Sequence, residues 1–430
     1  MMAPRERLRD RPGFLAFWTA ATVSGFGTYV TTLAVQVVVV VTLHDGATGV
    51  GLVSSARWLP YLLVGVLVGV LVDRSRRRGL LVGADLGRAV LLTSIPVLAV
   101  TGQLSIGLLM VVMAGFGLLS LVHDAASQSL VPRLVPPRLL TQANARLDQS
   151  DAVAQTSGPA LAGALVSLLT APWAVLVDAV SYLASGLLLV RVPVEEPPSR
   201  PRSSRGIAGE AAEGLRWVYG HHTLRPLALS THGWFLSSAA AGAVLPPYAL
   251  RTLGLSAFGL GLALAVGGVG GLLGALVATR LGMSYGAGRV VIGARATTAV
   301  AWALVALSTD RWSGWMLFGV GQFVLGLSMG AENANEMGYW QAVTPDRLQG
   351  RMNATRRSVN RAMIVVGAPV GGVLGDAFGF RLVLGVAVLG FLLSAVGLGA
   401  TGFRRVRLPA AIPHGLDHGD AVARDGSQDS

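Results

Sequence analysis

Three ionisable residues stand at the ends of apolar runs that would otherwise exclude them. His123 and Asp124 close one run, and Glu332 closes another exactly one repeat length further on. A carboxyl or imidazole in hydrocarbon is costly unless paired or wetted, so such groups mark ion and proton pathways. The chemistry these types can do is to load and release protons, with His123 able to titrate near neutral pH. The plainer alternative is polarity at a helix end. Further in, Arg57 and Asp178 occupy apolar runs at similar depth and could pair. Asp85 and Arg88 are three apart, close enough to pair on one helical face, which favours a structural role.

The elements that must position these groups are long apolar segments. Hydrophobic residues make up 52% of the 430-residue chain and charged residues 13%, with a mean hydropathy of +0.60. A soluble domain carries about twice that charge, roughly 25%. Segments of about 20 apolar residues cross a bilayer, and twelve are predicted: 14–42, 50–72, 80–100, 104–125, 150–168, 173–191, 226–249, 256–279, 289–308, 312–333, 357–376 and 382–403. The first is too long for a signal peptide and ends without a small-residue cleavage pattern.

The chain also repeats itself. Pro136-Pro-Arg138-Leu139, Asn144-Ala145, Gly158 and Gly163 return as Pro345-Asp-Arg347-Leu348, Asn353-Ala354, Gly367 and Gly372, each at an offset of 209 residues. One register without insertion means two homologous halves. The predicted fold is an all-α integral membrane protein of twelve helices in two six-helix, pseudo-symmetric halves, the build of a secondary transporter. Residues 1–191 form the first bundle, 192–225 a linker, 226–404 the second bundle and 405–430 a disordered polar tail. Within the linker, Ile207, Ala211, Leu215 and Val218 share one stripe and Glu210, Glu213 and Arg216 lie off it, which predicts an amphipathic helix on the membrane surface.

All 34 basic residues are Arg. With the N-terminus cytosolic, about 28 fall in the termini and in loops after even-numbered spans and about four on the other side, so both termini are expected in the cytosol of a cell whose plasma membrane holds the chain. The net charge of +12 is thereby spent on anionic leaflets, and its dispersal over many loops argues against a nucleic-acid partner. Zero cysteines exclude disulfides and thiolate metal sites. No phosphate-binding glycine loop, metal cluster or nucleophile elbow is found, so neither an enzyme nor an ATP-driven pump is expected, and no cofactor or metal.

After the second span the chain reads Gly69-Val-Leu71-Val-Asp73-Arg74-Ser-Arg76-Arg77-Arg78. This resembles the loop signature of the major facilitator superfamily, with Arg76 where the family usually has Gly. The resemblance covers about residues 13–404. Trp58-Leu-Pro60-Tyr61, Asp85-Leu-Gly-Arg88 and Asp178-Ala-Val-Ser181-Tyr182 are similar to the branch holding enterobactin exporters and macrolide-efflux proteins. Ala154-Gln-Thr-Ser-Gly158-Pro159-Ala-Leu-Ala162-Gly163 is similar to the Gly-Pro-rich fifth helix of drug/proton antiporters, with alanines at two glycine positions. Gly158, Pro159 and Gly163, echoed by Gly367 and Pro369, would let these helices kink and rock, although small-residue packing alone would use the same residues.

The resemblance implies that helix two packs on eleven and five on eight. It would bring Asp73, with Gly69, Arg74, Arg77 and Arg78 around it, to the start of helix eleven near Arg357, Asn360 and Arg361, and Asp148 and Asp151 to Arg280, as gates that close the cytosolic side. It also places an apolar central cavity among Thr28, Tyr29, Gln36, Met113, Trp234, Phe235, Gln322 and Phe323, suited to a bulky amphiphile and unsuited to a sugar or small anion. Drug antiporters usually carry an Arg in helix four, and 107–121 has none, which excludes coupling through that residue. The leading expectation is a monomeric, proton-coupled exporter of an amphiphilic metabolite or antibiotic, in contact with membrane lipids. A lipid or lysophospholipid translocator and a non-transporting scaffold or sensor are the alternatives.

Overall fold

The computed structural model describes residues 7–194 and 207–407, with the side chains of Val66, Val70, Asp73, Ile207, Ala208, Glu210 and Ala211 left out of the description. Long helices dominate: α1 (Pro12–Val37), α2 (Ala47–Leu63), α3 (Gly65–Arg74), α4 (Arg77–Val100), α5 (Ile106–Leu134), α6 (Leu140–Leu169), α7 (Ala171–Val190), α8 (Ile207–Gly220), α9 (Leu224–Pro247), α10 (Ala257–Tyr285), α11 (Ala287–Ala306), α12 (Trp312–Val343), α13 (Asp346–Phe378) and α14 (Phe380–Gly399). Ten are long and apolar enough to cross a bilayer. The second pass is broken at Val64 into α2 and α3, and α9 supplies the twelfth. Helices α5, α6, α12 and α13 begin or end well beyond the predicted spans. Their polar ends continue the helix past the hydrocarbon, where hydropathy alone sees no signal.

One half packs α1 on α6 and α7, α4 on α5 and α7, and α2 on α5. The other packs α10 and α11 on α12, α9 on α13 and α14, and α11 on α14. Each half also closes its first pass with a π-helical turn, Val38–Thr42 and Tyr248–Thr252. The halves meet where α2 packs on α13 and α6 on α10, the pairing that the resemblance implies.

Two copies of one seam make that junction. A Cβ on Gly163 of α6 would sit 2.6 Å from the Ala257 carbonyl oxygen of α10, and one on Gly372 of α13 would sit 2.7 Å from Thr48 Cα of α2. Only glycine lets the backbones come this close. Both seams lie toward the end of the bundle opposite the termini. Both helices run unbroken through Pro159 and Pro369; Gly158 packs on Tyr29 and Gly367 on Leu236 within their own halves, while Gly163 and Gly372 meet the opposite half.

The linker helix α8 docks on the second half. Glu213 pairs with Arg347 at 3.4 Å and with Arg351, Trp217 donates to Thr344 at 3.2 Å, and Val218 is buried among Leu224, Trp340 and Met352. The predicted stripe is therefore corrected: Leu215 is exposed, while Glu213 faces the protein because basic side chains of α13 await it. Ile207 and Ala211 have side chains outside the described residues, as do residues 408–430 of the tail.

Candidate functional site

Between α1, α2 and α5 lies a cavity of about 330 Å³. Thr28, Tyr29, Gln36 and Met113 line it, as expected from sequence, together with Thr32, Ser54, Arg57, Trp58 and four valines. Six of its twelve lining residues carry polar side chains and the rest are apolar. The remaining candidates do not line it. Trp234 stands edge-on to Phe235 and Phe391 at 5.1 and 6.0 Å, Gln322 is buried with its amide nitrogen unpartnered, and Phe323 is half-buried in α12.

At the end away from the termini, hydrogen bonds hold the halves together. The Asp376 carboxylate at the close of α13 accepts from the backbone N–H groups of Ala47 and Thr48, both at 2.8 Å. It thereby caps α2, whose own N-cap Gly46 has no side chain to do so. Arg251 donates to the carbonyls of Val40 and Asp45 at 2.8 Å, and Ser55 to that of Val365 at 2.7 Å. Neither Asp376 nor Arg251 was singled out from sequence; an uncapped helix start after Gly46 was the one available signal.

Nearer the termini the halves separate. Asp148, Asp151, Arg280 and Arg357 are exposed, and no ion pair joins either aspartate to Arg280 among the described residues. Helix α3 packs on α5, a Cβ on Gly69 would meet open space, Arg74 is exposed and Arg77 buried, and Arg78 donates to the Val190 carbonyl. The Asp73 side chain lies outside the described residues. Asn360 turns into its own half, 2.8 Å from His232, whose other ring nitrogen is 2.8 Å from the Tyr219 hydroxyl of α8.

Arg361 does cross the junction. Its guanidinium lies 4.1 Å above the Tyr61 ring and 5.6 Å from that of Trp58, and the Tyr61 hydroxyl donates to Asp124 at 2.9 Å. Asp124 is thus tied through one tyrosine to the opposite half.

His123 faces the other way, 3.6 Å from Asp85. Asp85 is fully buried, paired with Arg88 and accepting from Ser185 at 2.5 Å, the local pair that the spacing predicts. Arg88 lies 4.1 Å over the Tyr182 ring. The second half holds a larger counterpart. Arg295 of α11, fully buried, reaches Glu332 at 2.8 Å and Glu336 at 3.1 Å, with Thr231 at 2.7 Å and Ser230 as further acceptors. Arg356 adds a second cation 3.6 Å from Glu336, and Trp340 donates to Glu336 at 3.1 Å. Glu332 stands 209 residues after His123, and Ser394, beside Arg295, stands 209 after Ser185. Glu332 is therefore a member of a buried cluster and not helix-end polarity. Arg295, Glu336 and Arg356 were missed, although charge at 295 in an apolar run was visible.

Arg57 and Asp178 do not pair. Asp178 is fully buried and accepts from Thr31 at 2.5 Å and Ser181 at 2.8 Å. Arg57 points into the cavity, donating to Thr32 at 2.9 Å.

Comparison with known proteins agrees with this architecture. The chain is 28% identical over 328 residues to the uncharacterised MFS-type transporter y4rN of Sinorhizobium fredii, covering 75% of this chain and 79% of that protein. It is 28% identical over 142 residues to macrolide efflux protein A of Enterococcus faecalis, covering 33% and 44%. The fold matches a bacterial homologue of the iron transporter ferroportin in its inward-facing state, with a TM-score of 0.73 at 18% identity over 91% of this chain and 98% of that one. It also matches the nucleoside transporter NupG, with a TM-score of 0.71 at 14% identity over 92% and 99%. Residues 7–415 match the transmembrane secretion effector family, and the chain belongs to that family of major facilitator superfamily transporters.

Proposed function

We propose that this protein exports a bulky amphiphilic small molecule across the cell membrane by alternating access, in exchange for protons, with both termini in the cytosol. The observation that carries the reading is the cavity at the meeting of α1, α2 and α5, with the halves held together at one end by Asp376 and Arg251. Toward the end that bears the termini Arg361 crosses to Tyr61, while no ion pair joins Asp148 or Asp151 to Arg280 among the described residues. The arginine asymmetry supports a cytosolic position for that end, from which the state described would receive substrate. The short stretch of likeness to macrolide efflux protein A supports outward movement of a large amphiphile.

Coupling is assigned to Glu332 and Asp124. Glu332 shares the Arg295 guanidinium with Glu336, so protonating one carboxyl leaves the cation paired with the other. Asp124 reaches Arg361 of the opposite half through Tyr61, so a proton on Asp124 would weaken a contact between halves. Inverted vesicles, a panel of fluorescent amphiphiles and an imposed proton gradient test the proposal. Gradient-driven uptake by the wild type should fall by tenfold or more in Glu332→Gln and in Asp73→Asn. Uptake that ignores the gradient would overturn the proton exchange, full gradient dependence in Glu332→Gln would remove that residue from coupling, and unaltered uptake in Asp73→Asn would remove the loop aspartate from gating.

A further inference from the structure

Each buried arginine of the two ion clusters has a carboxylate partner: Arg88 has Asp85, Arg295 has Glu332 and Glu336, and Arg356 has Glu336. Arg57 is different. It lies within the apolar part of the bundle, and its described contacts are the Thr32 hydroxyl at 2.9 Å, the Phe116 ring at 5.2 Å and the Trp58 ring at 5.8 Å. No carboxylate among the described residues stands within ion-pair distance, and Asp178 is held on two hydroxyls instead. A guanidinium cannot shed its proton, and a cation in such surroundings calls for an opposite charge or water.

The space in front of Arg57 is the cavity itself. Arg361 approaches the same Trp58 ring at 5.6 Å from the other half. Beside the guanidinium stand Thr28, Thr32 and Ser54, the hydroxyls of Thr28 and Thr32 donating to the Ser24 and Thr28 carbonyls at 2.9 and 2.7 Å, and beyond them an apolar wall of Val39, Val50 and Met113. The planar guanidinium fork matches a carboxylate, and the valine and methionine wall matches a hydrocarbon body.

We propose that the cavity binds an amphiphile bearing a carboxylate, its head set against Arg57 and its apolar body along Val39, Val50 and Met113. This rests on the reading of the cavity as a substrate site, and it reverses the charge that a cationic amphiphile would bring, since Arg57 would repel an ammonium group there.

The test is equilibrium binding in nanodiscs, with no gradient, of a dansylated undecanoic acid and its primary amide, read against empty nanodiscs. The wild type should bind the acid about tenfold or more tighter than the amide, as a charge-assisted bidentate contact provides. Arg57→Gln should bring the ratio to about one while leaving the amide unaffected, and Arg57→Lys, which keeps the charge, should retain a reduced preference. Met113→Trp, which fills the cavity, should weaken both probes. Equal wild-type affinities, an unchanged ratio in Arg57→Gln, or affinities for both probes that Met113→Trp leaves unchanged would each overturn the proposal. If Arg57→Gln does not fold, the wild-type ratio and Arg57→Lys still decide it. Because no transport is measured, failed efflux in vesicles would sink the exporter reading and leave this ratio standing, and the converse also holds.

Discussion

Arg295 shows how a charged side chain can be kept in the middle of a membrane bundle. Its guanidinium donates to two carboxylates and three hydroxyls, so both its charge and its donors are satisfied. Removing a carboxylate differs from removing the cation. Glu332→Gln leaves Arg295 with Glu336 and should cost about 1 kcal/mol, one net hydrogen bond. Arg295→Met leaves two buried carboxylates with only Arg356 nearby and should cost about 3–5 kcal/mol. Thermal unfolding in detergent separates the two, and equal midpoints would mean that the cluster is not organised around Arg295. Part of this site was legible beforehand. The i, i+3 spacing of Asp85 and Arg88 announced their pair, and the 209-residue offset tied Glu332 to His123. Glu332 pairs with Arg295 of α11, and the rest of the cluster comes from α9, α12 and α13; no local spacing encodes which distant helices meet there.

At the scale of elements, glycine governs how close the halves come. The repeat made Gly163 and Gly372 visible as equivalents, and the superfamily resemblance implied which helices they would meet. What could not be read was the register, because a glycine marks a close approach without naming the backbone that approaches. That register carries a prediction. Gly163→Leu places a side chain where Ala257 oxygen would be 2.6 Å from its Cβ, so α6 and α10 must part at the end away from the termini. The chain has no cysteine, so one introduced as Ser54→Cys in the cavity is an unambiguous reporter. Its labelling by a membrane-impermeant thiol reagent from that side should rise several-fold in Gly163→Leu. Unchanged labelling would mean that the seam yields elsewhere and does not control access.

At the scale of the whole molecule, closing one end of two rigid halves about a shared junction opens the other. Asp376 and Arg251 hold the end away from the termini with four hydrogen bonds to backbone groups, while Asp148, Asp151 and Arg280 at the opposite end are exposed. On the proposed alternating-access cycle, the ion pair expected there from sequence would belong to the alternate state, in which the halves tilt together at the terminus-bearing end. The two sets of contacts then compete. Asp376→Ala removes a charged cap from the α2 N-terminus, a loss of about 1–2 kcal/mol from the state described here alone. At 1.4 kcal/mol per factor of ten, that shifts the balance between states about five- to thirtyfold. Spin labels at Asp148→Cys and Arg280→Cys, which also remove the competing charges, would report the tilt itself: a short-distance population should grow in Asp376→Ala. With Asp148 and Arg280 intact and labels placed on neighbouring exposed positions, the same shift should be larger, because the new ion pair adds to it. A distance distribution that Asp376→Ala leaves unmoved would mean that the two ends are not linked through a rigid half, and the alternating-access reading would lose its mechanical basis.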